Sequence, residues 1–187
     1  MYGCARDDWL GGRSVAFEIK TAAELIALDM EGRQAARRSA RETDLMRVVF
    51  RAFVGASGAV QAEDVAAALQ GRPRAAVFEE LAKLDEEDLI RIRAGRLDIA
   101  YPFSAAPTPF VVDLGRGRGE RYACCAIDVL GLAPMLGQPV QIRSQCHHCA
   151  VPLAFSVDPS GPRPEAAEVM VWVVRRVEDE RRACDSL

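Results

Sequence analysis

The chain reads as an α+β protein, an N-terminal winged-helix-like helical domain followed by a small mixed α/β domain. Three observations predict this. Amphipathic helical segments at 44–53, 61–70 and 74–84 are followed by two short alternating runs, 89–92 and 96–99, around Ala94-Gly95; a helix triplet followed by a hairpin is the winged-helix pattern. Beyond residue 110 the pattern changes to short β-prone runs around a single apolar stretch, 122–130. Between the halves lies a proline-rich run, 101–110, predicted to be extended and to connect them. The expected divisions are an N-terminal extension and helix at 1–43, the winged-helix-like domain at 44–100 and a cysteine-containing domain at 101–187.

A length of 187 residues accommodates one large core or two small ones. The formal charge of −3 supplies no general attraction to a phosphate backbone. No apolar run approaches the roughly 18 residues needed to span a bilayer. The first residues are acidic early and lack an apolar signal region. The expectation is a cytoplasmic protein with no membrane partner. Of six cysteines, four are clustered as Cys124–Cys125 and Cys146–Cys149, with Cys4 and Cys184 outlying. Clusters of that kind in an intracellular chain point to metal or redox chemistry, so they are read as reduced thiols.

Taken in order, residues 1–20 show no period. Segment 21–40 has a helical composition, and Thr21 with Glu24 fits a capping box. In 44–53, Leu45, Val48, Val49 and Ala52 share a stripe. Gly55-Ala-Ser-Gly58 breaks that helix, Gly71-Arg-Pro closes the next, and Val77, Phe78, Leu81 and Leu84 form the inner face of the third. Segment 110–114 is read as a strand, 115–119 as a turn and 121–122 as the return strand; the glycines of that turn lack the Lys-Ser/Thr of a phosphate loop. Segment 122–130 is read as a helix ended by Gly131 to Gly137. Runs 140–143, 151–157 and 168–174 are read as strands, the first two flanking a tight hairpin that carries Cys146-His-His-Cys149.

Two places carry chemistry. In a helix, Cys125 and Asp128 stand at i and i+3 and share a face, which sets a soft nucleophile beside a proton donor or acceptor; the alternative is a buried helix with cysteines as small hydrophobes. Cys146-x-x-Cys149 offers half of a tetrahedral zinc site. His147 and His148 are the only histidines, so a zinc ion would need Cys124, Cys125, Cys184 or a partner chain, and zinc remains the lesser reading. A third helix entering DNA would present Arg72 and Arg74, but also Glu79, Glu80, Asp85, Glu86 and Glu87; DNA is therefore a partner the sequence does not favour.

Tyr101-Pro-Phe-Ser-x-x-Pro-Thr-Pro, Tyr122-Ala-Cys-Cys-Ala-Ile-Asp, Met135-Leu-Gly and Ser144-x-Cys146 followed by Pro152 resemble, in order and spacing, the alkylmercury (organomercurial) lyase family. The resemblance implies protonolysis of a carbon–mercury bond without a required cofactor, with Hg(II) as bound product. It places Cys125 at the first catalytic thiol and Asp128 at the catalytic acid, and Cys146 where the family keeps a cysteine regarded as structural. Cys184 lies near the place of the second catalytic cysteine; either it substitutes, or that thiol lies outside this sequence. The candidate metal-binding thiols are thus Cys125, Cys184, Cys146 and Cys149. The implied partners are a small organometallic substrate and, as acceptor of the product, free thiols or a mercuric reductase. A non-catalytic soft-metal-binding or metal-sensing protein and a winged-helix transcriptional regulator are the alternatives.

Overall fold

The computed structural model of the chain describes Thr21, Glu24, residues 43–56 and residues 58–172. The capping box forms: the Thr21 N–H and hydroxyl both donate to Glu24 Oε2, at 2.6 and 2.7 Å, and the Glu24 N–H donates to Thr21 Oγ1 at 3.3 Å. The rest of the helix expected there lies outside the described residues.

Helix α1 spans Asp44–Gly55 and is started by Thr43, whose hydroxyl accepts from the Met46 N–H. Its fully covered side chains are Leu45, Met46, Val49 and Phe53, with Val48 and Ala52 only partly covered. The buried stripe is therefore turned slightly from the one expected, because Phe53 is large enough to pull the face towards itself. A two-residue strand, β1 (Val60–Gln61), precedes α2 (Ala62–Ala68) and was not anticipated. Helix α3 covers Arg74–Glu86 and buries Val77, Leu81 and Leu84. The hairpin of β2 (Ile90–Arg93) and β3 (Arg96–Ala100) turns at Ala94 and Gly95, with φ of 49° and 77°. Positive φ at both central residues matches the right-handed twist of the strands, the reason an Ala-Gly pair can turn here.

The proline-rich run does more than connect. Within it, Phe103–Ser104 forms β4, which pairs with β3 on one side and with β6 (Glu120–Ala123) on the other. Strand β6 also pairs with β5 (Val111–Asp113), β5 with β7 (Val140–Gln145), β7 with β8 (Pro152–Asp158), and β8 with β9 (Gly161–Pro162). All these contacts are antiparallel, and among the described residues they make one sheet of nine strands running through both halves. Two side chains fasten the junction. Phe103, fully buried, stacks against Phe53 with ring centres 6.3 Å apart and tilts against Phe50 at 5.3 Å. Arg121 donates to the carbonyls of Phe53 and Val54, at 3.0 and 2.8 Å, and so satisfies the open C-terminal end of α1.

Helix α4, Ala126–Leu136, buries Val129, Leu132 and Ala133 against the sheet and closes at Gly137 in the left-handed region. It starts four residues later than the sequence pattern suggested, because Tyr122 and Ala123 are held as strand by β4 and β5. The strand expected at 168–174 is absent over Glu168–Trp172; a short 3₁₀ turn, Pro164–Ala166, leads into that stretch instead. β-prone composition makes a strand only where a neighbour pairs with it, and Glu168–Trp172 pairs with none of the described strands. Residues 173 and 174 lie outside the described residues.

Candidate active site

The late start of α4 makes the site. Cys125 is not inside the helix but at its N-cap, in an extended conformation with φ −149° and ψ 178°. From there its sulfur accepts from the Asp128 N–H at 3.4 Å, the position an oxygen-bearing cap residue normally fills. The thiol in turn donates to Asp128 Oδ2 at 2.9 Å. The i, i+3 spacing read from the sequence thus brings the pair together, by capping geometry rather than by a shared helix face.

Two influences compete on that thiol. A helix N-terminus favours thiolate, and the N–H groups of Asp128 and Ile127 pull its pKa down. Burial opposes them most strongly, followed by the hydrogen bond to Asp128 and then by the charge of that carboxylate, and together these push the Cys125 thiol from 9.0 up to about 11. The proton therefore stays on sulfur at neutral pH, on a hydrogen bond that leads to a carboxylate.

Cys124 is buried beside Ile99 and Tyr101, in a small cluster separate from the main core. Its N–H donates to the carbonyl of Pro102 at 2.9 Å. That cluster does not include Cys125, whose sulfur is bonded instead to Asp128. The neighbouring Ala123 carbonyl accepts from the Thr108 hydroxyl at 2.6 Å. From the sequence Thr108 has no role of its own; it appears there only within the Tyr101-Pro-Phe-Ser-x-x-Pro-Thr-Pro motif.

Cys146 ends β7 as a free, half-buried thiol in a turn closed by Cys146 N–H to Val151 O and Ala150 N–H to Cys146 O, both 2.8 Å. His147, His148 and Cys149 are exposed on that turn. Cys149 is disulfide-bonded, so the expectation of reduced thiols throughout does not hold for it, and in this form it offers no thiolate to a metal. Among the described residues, no group of three His, Cys, Asp or Glu side chains is placed to hold a metal ion. Cys184 and Cys4 lie outside the described residues. Arg72 and Arg74, the basic residues expected to face DNA, are engaged by Glu80 and Glu63 respectively. Among the described residues no helix is long and apolar enough to cross a membrane.

Residues 103–187 match the family model described as MerB: Alkylmercury lyase. Over that segment the chain is similar to the alkylmercury lyase family. The matched residues include the Cys125–Asp128 pair, Cys146 and Thr108. The fold agrees: the chain is similar to the structure titled "Crystal structure of the mercury-bound form of MerB2", with a TM-score of 0.52 and 21% identity over 65% of this chain. The alignment spans 59% of that MerB2 chain, so the likeness extends over little more than half of the solved protein. No curated protein matches the sequence.

Proposed function

We propose that this protein cleaves the carbon–mercury bond of small organomercurials by protonolysis, with Cys125 as mercury ligand and Asp128 as proton shuttle. The observation that carries this is the 2.9 Å hydrogen bond from the Cys125 thiol to Asp128 Oδ2 at the start of α4. A soft cation R–Hg⁺ prefers thiolate sulfur to any oxygen ligand. As the sulfur–mercury bond forms, the thiol proton passes to Asp128. Asp128 then gives the same proton to the carbon; the carbon–mercury bond breaks, R–H leaves, and Hg(II) stays on the Cys125 sulfur. The proton lost by the thiol is the one gained by the carbon, and charge balances without a redox step or a cofactor.

The raised thiol pKa serves this sequence, because the proton is retained until a soft metal displaces it. In the proposal Cys184 supplies the second thiolate that holds Hg(II), and Cys146 is a structural thiol of the β7–β8 turn. Free thiols of the cytoplasm, or a mercuric reductase, remove the metal and restore the thiol.

The test is incubation with an arylmercury salt and excess free thiol. Release of one arene per turnover is expected from the native chain, with Asp128→Asn reducing it by about a hundredfold or more, the usual worth of a general acid. Mercury bound without arene release would reject lysis and leave a soft-metal-binding protein.

A further inference from the structure

The start of α4 is held from outside the helix. Thr108, in the proline-rich run, is fifteen residues from Ala123, yet its hydroxyl donates to the Ala123 carbonyl at 2.6 Å. The same oxygen accepts from the Phe110 N–H at 3.2 Å, while the Phe110 carbonyl accepts from the Ala123 N–H at 2.9 Å. One residue further on, the Cys124 N–H donates to Pro102 O at 2.9 Å. Both polar groups of Ala123 and the N–H of Cys124 are thereby fixed to one segment, immediately before the extended Cys125. An N-cap sulfur reaches Asp128 only if its backbone leaves the strand at this angle, since one torsion upstream swings the sulfur through several ångströms.

We propose that Thr108 is a positioning residue for the Cys125–Asp128 pair: through the Ala123 carbonyl it sets the backbone angle that keeps the thiol in hydrogen-bonding reach of the carboxylate. This rests on the reading of that pair as the reactive centre. The hydroxyl is the working part. It is half-buried and bonded on both its donor and acceptor sides, so an isosteric Val would leave the Ala123 carbonyl without its side-chain partner while keeping the shape.

The measurement is the rate of Cys125 alkylation in the full chain at one fixed pH, followed on the Cys125 peptide by mass spectrometry with iodoacetamide as probe. It reads the sulfur directly and not the carbon–mercury bond, so it answers even if the protein is no lyase. In the native chain the hydrogen bond from the thiol to Asp128 slows the reaction. In Thr108→Val alkylation is expected to be about tenfold faster, while Thr108→Ser keeps the native rate. A native rate in Thr108→Val, or equal changes in the Val and Ser variants, overturns the proposal. Should Thr108→Val not fold, the Thr108→Ala and Thr108→Ser pair decides: a faster Ala rate beside a native Ser rate supports the proposal, and identical rates overturn it.

Discussion

Two cysteine-bearing regions invite comparison: the Cys124–Cys125 doublet at the start of α4 and the Cys146-His-His-Cys149 turn between β7 and β8. By residue type the turn is the richer site, four soft or borderline ligands in four positions. By geometry the order reverses. The turn spreads its side chains over an exposed hairpin, and one of its sulfurs is already in a disulfide. The doublet sends one sulfur into a small apolar cluster and the other to the helix cap, where a carboxylate waits at 2.9 Å. Chemical function follows from convergence on one point, and the density of ligands along the chain does not supply it.

The sharpest way to break this comparison is to remove one sulfur from each region. Cys125→Ala is expected to reduce arene release at least about a thousandfold, as loss of a reacting group does, whereas Cys149→Ala stays within about threefold; equal losses would move the centre to the turn. Next in size is the support beneath the cap. Leu132, fully buried on α4, has no counterpart under the turn, and Leu132→Ala is expected to cost about 2–5 kcal/mol in denaturant unfolding. A native-like midpoint would mean that α4 is not anchored as described.

A smaller effect is expected in alkaline stability. A thiol whose pKa rises from 9.0 to about 11 on folding favours the protonated, folded form. Its contribution is complete below pH 9 and is lost as pH rises through 11, since the unfolded thiol ionises first. Because the group is partly solvated, screening leaves about 1 kcal/mol of this slope. Subtracting the unfolding curve of Cys125→Ser, which does not titrate there, should isolate it; no difference between pH 8 and 11 would contradict the buried, carboxylate-bonded thiol. The smallest effect belongs to the turn. His147→Ala and His148→Ala are expected to change mercury affinity by no more than about twofold, the range of ordinary surface substitutions, and a larger loss in a competition assay would make the turn a ligand site.

Much of this was legible before any coordinates. The Thr21–Glu24 capping box, the start of α1, the turn at Ala94-Gly95 and the spacing of Cys125 to Asp128 are local patterns, set by interactions within a few residues, and each is present in the structure. The misreadings are of another kind. The return strand at 121–122 is present, but residues 123–125 read as helix because their composition is apolar and unbranched, whereas pairing with β4 keeps Ala123 extended. The run 168–174 reads as a strand from its composition, but its described part, 168–172, pairs with none of the described strands.

The sequence by itself determined which side chains could react and how far apart they stand along the chain, because a thiol three residues before a carboxylate is a covalent fact. It also determined the helices and the hairpin, whose hydrogen bonds close over short spans. Only the tertiary structure decided where α4 begins, and with that whether Cys125 lies within the helix or caps it. That choice depends on Phe103, Thr108 and Pro102 arriving from the proline-rich run to hold Ala123 as strand and to fix the Cys124 N–H. Contacts across fifteen residues and more have no local signature, and they are what turns a spacing into a site.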